Sequence, residues 1–122
     1  MDTDPREAVT EFLLDAKRAI QKGDDAWIFV FRQNNIETLA RLEFTVEDVK
    51  REILSLSVTD YCSGPINDPE IKGEVWVFGK NINDKEVYIK LKLWGDKTGK
   101  ALRVLSFHCA EKPLIYEFKK NR

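Results

Sequence analysis

The sequence predicts an α+β fold in which N-terminal helices pack on an antiparallel β-meander, and three observations carry that expectation. Residues 5–22 and 36–56 place apolar side chains at helical spacing behind helix-capping residues. Residues 87–94 instead alternate between two faces with a period of two, within a run of strand-like segments from 74 to 107. Between the strand-like runs lie the turn signals Asn83-Asp84 and Gly95-Asp96-Lys97-Thr98-Gly99. At 122 residues the chain reads as a single domain, residues 1–122, long enough to bury a core without a disulfide or a structural metal.

Asp4 followed by Pro5 is a capping residue ahead of a proline at the first helical position. Val9, Phe12, Leu13, Ala16 and Ile20 then form one apolar stripe that ends at Gly23. Residues 27–32 are aromatic and β-branched and predict a strand beside the later sheet. Asn34 and Asn35 are expected to cap a short helix carrying Ile36, Leu39, Ala40 and Leu42. Thr45-Val46-Glu47-Asp48 pairs a hydroxyl cap with acids in the first turn, which predicts a second helix directly after it.

The periodicity is lost over residues 57–73, where Gly64-Pro65, Asn67-Asp68-Pro69 and Gly73 predict a loop. A strand over residues 74–80 follows. If Asn83-Asp84 is a two-residue turn, Trp76 and Phe78 lie beside Leu91 and Ile89, and Val77 lies opposite Lys90. Val87, Ile89, Leu91 and Leu93 then share one face, while Tyr88, Lys90, Lys92 and Trp94 share the other. Residues 101–107 are apolar on both sides apart from Arg103 and Ser106, which predicts a strand with neighbours on both flanks and cover on both faces. After Pro113, residues 114–118 are expected to form a last edge strand before the basic tail Lys119-Lys120-Asn121-Arg122.

No apolar run approaches the ~20 residues of a membrane span. The acidic start Met1-Asp-Thr-Asp lacks the order of a secretion signal, which predicts a cytoplasmic protein with no membrane association. Cys62 and Cys109 are far apart and in no CxxC pattern, and read as reduced structural thiols. Phosphate-binding glycine loops, HExxH and GxSxG are absent, which disfavours nucleotide-dependent, zinc and serine-hydrolase chemistry. Residues 1–71 carry 8 Lys+Arg against 15 Asp+Glu, whereas residues 72–122 carry 12 against 6. Such a split hints at a polyanion site on the basic side.

The chemistry-bearing residues gather in that basic half. Cleaving RNA without a metal needs a base for the 2′-OH proton, an acid for the leaving 5′-oxygen, and cations for charge developing on phosphorus. His108, the only histidine, suits the base or acid; Tyr88 suits the partner acid or a stacking platform; Lys90, Lys92 and Arg103 suit phosphate. Each has a structural alternative as an ordinary strand-end or wet-face residue. Whether His108 and Tyr88 share a face depends on how the hairpin closes, since a slip of one residue separates them. His108 and Cys109 are adjacent on a strand and point apart, which argues against a Cys-His nucleophile pair.

Leu54-x-Leu-x-x-x-Asp60-Tyr61, Glu-Val-Trp-Val-Phe-Gly at 74–79, Glu-Val-Tyr-Ile-Lys-Leu-Lys at 86–92 and Val-Leu-Ser-Phe-His at 104–108 occur in an order that resembles the MqsR family of toxins. The resemblance covers roughly residues 6–112. It implies a RelE-like fold and metal-independent mRNA endoribonuclease activity in a type II toxin-antitoxin system, with no cofactor and with mRNA and a cognate antitoxin as partners. The tyrosine of the family's Val-Tyr-x-Lys strand falls on Tyr88, and the basic residue after its Ser-Phe falls on His108. Two positions depart from the pattern: the family's lysine after the Asp-aromatic pair is replaced near Ser63, and its glutamine after the tryptophan is replaced by Val77. Three expectations stay open: His108 takes over the acid-base work, cleavage proceeds differently, or this chain does not cleave. The rival reading is a non-catalytic RNA- or protein-binding module that uses the same basic sheet. For the antitoxin, Tyr61, Pro65 and Ile66 are the candidate apolar anchors, beside the neighbouring edge of the sheet.

Overall fold

A computed structural model describes residues 4–67, 73–96 and 99–119. Among the described residues, three α-helices cover one face of a five-stranded mixed sheet, an α+β arrangement. Helix α1 (Pro5–Lys22) starts where Asp4 accepts from the Arg6 backbone N–H at 2.9 Å, with Pro5 at the first position. It buries the stripe Val9, Phe12, Leu13, Ala16 and Ile20. Helix α3 (Val46–Leu54) starts at a full capping box between Thr45 and Asp48, as its sequence predicts.

The strands are β1 (Trp27–Phe29), β2 (Tyr61–Asn67), β3 (Glu74–Ile82), β4 (Lys85–Asp96) and β5 (Gly99–Cys109), in the spatial order β1-β5-β4-β3-β2. Strands β3 to β5 form the expected antiparallel meander, and β2 extends it antiparallel to β3. Strand β1 joins β5 in parallel, which makes the sheet mixed. No local turn relates strands so far apart in sequence, so turn chemistry could not predict this pairing. The β3–β4 turn is Asn83-Asp84, both left-handed (φ 51° and 66°), and it sets Trp76 against Leu91, Phe78 against Ile89 and Val77 against Lys90. Phe78, Val87, Ile89, Leu91, Leu102, Val104 and Phe107 meet the helices in one core.

Three local expectations are corrected. The span 57–73 contains strand β2, because Tyr61 packs on Phe78 and draws a glycine- and proline-bearing segment onto the edge of β3; residues 68–72 lie outside the described residues. Residues 114–118 form no strand and instead cross the sheet as a strap. The basic tail beyond Lys119 and the Lys97-Thr98 turn lie outside the described residues. Helix α2 (Gln33–Leu42) starts after Arg32, without a side-chain cap, so Asn34 and Asn35 are within it rather than capping it. Asn35 is buried, 1% exposed, and works as a substitute strand. Its amide donates to the carbonyls of Val30 (2.8 Å) and Leu105 (3.1 Å) and accepts from the Phe107 N–H (3.0 Å). Thr38 Oγ1 likewise accepts from the Cys109 N–H at 3.1 Å. Beyond the short β1, helix α2 thus satisfies backbone groups along the edge of β5.

Strand β5 has β1 and β4 on its two flanks and is buried continuously from Val104 to Phe107, Leu105 and Ser106 included, as its apolar run predicts. It also carries a bulge: Lys90 pairs with Ser106 but Leu91 pairs with Val104, so Leu105 is the extra residue. Leu102, Val104 and Phe107 remain on the core face despite their uneven spacing.

Candidate active site

The β4–β5 hairpin builds the face away from the helices in paired rows. Tyr88 lies opposite His108, Lys90 opposite Ser106, Lys92 opposite Arg103 and Trp94 opposite Ala101. Directly opposed residues share a face with Cβ atoms about 5 Å apart. The bulge decides the position of His108: the register that runs unbroken from Asp96↔Gly99 to Leu91↔Val104 already sets Arg103 opposite Lys92, but continued without the bulge it would set Tyr88 opposite Phe107 and turn His108 into the core. Tyr88, Lys90, Lys92 and Arg103 therefore share the outer face on the register that the turn sets, and the bulge brings in His108, the fifth sequence-predicted site residue of this hairpin.

Tyr88 and His108 do more than share a face. Their rings stack, with centroids 5.2 Å apart and planes 22° from parallel. His108 Nδ1 lies 3.0 Å from the carbonyl of Cys109, not from its thiol. A carbonyl only accepts, so Nδ1 carries the proton in this contact and a neutral His108 keeps Nε2 as its basic nitrogen. Burial, reinforced by nearby Cys62, raises the Tyr88 phenol above its ordinary value and keeps it a protonated donor. The pair thus combines a basic nitrogen and a phenolic proton in one stack.

The cations are placed less uniformly. Lys90 is half-buried beside Tyr88, while Lys92 is only 6% exposed, its stem passing over Gly73, where a Cβ would come within 2.8 Å of Lys92 Cε. Both lysines engage other groups of the protein. The Arg103 guanidinium lies over the ring of Trp94 at 5.2 Å, and that tryptophan is 51% exposed. Part of the charge split is consumed internally: Lys100 pairs with Asp15 at 2.9 Å and Lys80 with Glu52 at 2.8 Å, each joining a strand to a helix.

The three candidate anchors differ among themselves. Tyr61 is held in an aromatic stack, 5.3 Å from Phe118, and its hydroxyl donates to the Gly64 carbonyl at 2.5 Å. Pro65 and Ile66 are exposed on β2, Ile66 by 46%.

Sequence reasoning missed the strap. Residues 110–119 leave β5, cross β4 and β3, and reach the β2 edge, where the Glu117 N–H donates to the Tyr61 carbonyl at 3.2 Å. Glu86 latches the crossing: its carboxylate accepts from the Leu114 N–H at 2.9 Å and from the Tyr116 hydroxyl at 2.8 Å, and its carbonyl accepts from the Ala110 N–H at 2.8 Å. Gly79 lets the strap pass, since a Cβ there would strike Leu114 and come within 2.7 Å of the Tyr116 hydroxyl. Between strap and hairpin lies a groove of about 420 Å³ lined by Tyr88, Lys90, Ser106, His108 and residues 110–114. Gly79 is the one signal that could have revealed it, a glycine in mid-strand marking close approach of another segment.

Among the described residues no three His, Cys, Asp or Glu side chains cluster as metal ligands, and no helix is long and apolar enough to cross a membrane. No family model, curated protein or solved structure matches the chain.

Proposed function

We propose that the open face of the β4–β5 hairpin binds single-stranded mRNA and cleaves it by 2′-OH attack, as a metal-independent endoribonuclease toxin of the MqsR kind. The observation that carries the reading is the stacked Tyr88–His108 pair with Lys90 beside it. His108 Nε2 takes the 2′-OH proton as the 2′-oxygen bonds to phosphorus. The P–O5′ bond breaks, and the Tyr88 phenol returns a proton to the leaving oxygen. The products are a 2′,3′-cyclic phosphate and a 5′-hydroxyl. The Lys90 ammonium stabilises charge on the non-bridging oxygens, and Arg103 with Trp94 holds the strand further along. Lys92, nearly buried, contributes chiefly to the positive field under the site. The resemblance of residues 6–112 to a family of RelE-like fold supports the same reading, and with it a cognate antitoxin in the cytoplasm. That antitoxin covers Pro65 and Ile66 on the β2 edge beside Tyr61, its encounter steered by opposite charge.

The test is cleavage of a single-stranded RNA by purified protein with EDTA present. His108→Ala lowers the rate by about 10²-fold or more, the usual contribution of a general acid or base. Wild-type activity abolished by the chelator, or full activity in His108→Ala, overturns the mechanism. RNA retained without cleavage by the wild type assigns the face to binding alone. Hydrogen exchange with and without the product of a neighbouring reading frame tests the partner: protection confined to α1 overturns an interface at β2.

A further inference from the structure

We propose that the strap makes the candidate site a pocket for one unstacked RNA base, held against the Tyr88–His108 stack and walled by residues 110–114. The inference rests on the RNA-binding part of the function proposed above and adds a base-recognition element to it. A bare sheet face offers a row of side chains but nothing to enclose a ring. Here the chain folds back, and the result is a groove of about 420 Å³, within the range of sites that enclose a small ligand. Its lining divides by chemistry: the aromatic pair on the hairpin, the apolar Ala110, Pro113 and Leu114 on the strap, and Lys90, Lys112, Ser106 and Glu111 as the polar groups. A flat apolar ring with polar edges, attached to a phosphate, matches that division. Single-stranded RNA supplies such a ligand, and base recognition there works by splaying bases out onto aromatic side chains.

The strap is also built to stay in place. Glu86 accepts two hydrogen bonds from it through one carboxylate, Phe118 stacks on Tyr61 with the Arg6 guanidinium 5.3 Å over its ring, and Lys119 lies 4.3 Å over the ring of Tyr116. Glu86 stands two residues before Tyr88 on the same face of β4, so the latch adjoins the stacked pair. The Glu86 carboxylate therefore acts as a positioning group: it touches the strap, and the strap holds the wall.

The test uses a short RNA with 2-aminopurine in place of one base and 2′-O-methyl groups throughout, which removes the nucleophile and prevents cleavage. On binding the full chain, 2-aminopurine fluorescence falls as the ring stacks. Leu114→Ala removes part of the wall, and Tyr116→Phe removes one latch bond while keeping the ring. Both weaken binding about ten-fold, the scale of one base-stacking contact, and both diminish the quench. In parallel, wild type and variants cleave an RNA pool of random sequence; the variants raise KM more than they lower kcat and lose base preference at one position beside the cut. An undiminished quench with unchanged base preference in both variants overturns the pocket and leaves the nuclease reading intact. Binding by wild type with no quench for any labelled position overturns the pocket as well. A probe that wild type does not bind overturns both proposals, whereas quenching by wild type that both variants reduce, without cleavage of the unmodified RNA, sustains the pocket and overturns only the nuclease.

Discussion

The two faces of β4 are made from alternate residues of one strand, yet they obey different rules. Val87, Ile89 and Leu91 are fully buried in the hydrophobic core. Tyr88, Lys90, Lys92 and Trp94, one residue away in each case, carry an aromatic, two cations and an exposed indole, with the strap beside Tyr88 and Lys90. On the core face close packing sets the energetics, so a lost methylene is felt. On the outer face polar groups and stacked rings prevail, and a change there is expected to alter function more than stability.

The sharpest way to break that contrast is a pair of truncations at neighbouring positions of β5. Phe107→Ala empties a fully buried ring site and lowers unfolding free energy by about 3–5 kcal/mol in urea titration. His108→Ala, on the opposite face, removes one stacking partner and costs less than about 1.5 kcal/mol. Equal losses from the two would show that the outer face is a second core. Asn35→Ala probes the edge between the faces. It leaves the Phe107 N–H and the Leu105 carbonyl without their side-chain partner, at roughly 1–3 kcal/mol for each group left unsatisfied, and speeds hydrogen exchange at Phe107. Unchanged exchange there would mean that another group takes over the edge.

A smaller effect separates field from fold. Lys90→Ala combined with Lys92→Ala weakens RNA binding and flattens its salt dependence, since each lost phosphate contact removes a counterion-release contribution; a slope equal to wild type would confine both lysines to structure. Smallest is the alkaline limit. Burial, then Glu86 and Asp60, pushes the Cys62 thiol from its ordinary 9.0 up to about 11. The folded state holds that proton where the unfolded chain has lost it, so this contribution to stability is complete below pH ~9 and declines as pH rises through ~11. Urea titrations across that window should show the decline in wild type and a shallower one in Cys62→Ala.

What was legible in the sequence is what neighbouring residues settle between themselves. The Asp4 and Thr45 caps, the stripe of α1, the Asn83-Asp84 turn and the two faces of β4 all follow from short-range sterics and a fixed side-chain period, and they placed Tyr88 and Lys90 on one face. What tertiary structure alone decided are contacts between distant segments. The parallel docking of β1, the use of Asn35 as a substitute strand, the bulge at Leu105 that turns His108 outward, and the strap over Gly79 leave no periodic trace. Each answers to a backbone group or a void contributed by another part of the chain. The stack of Tyr88 on His108 lies between the two cases: alternation chose the face for Tyr88, and only the register of β5 brought the imidazole to it, because a shift of one residue reverses every side chain.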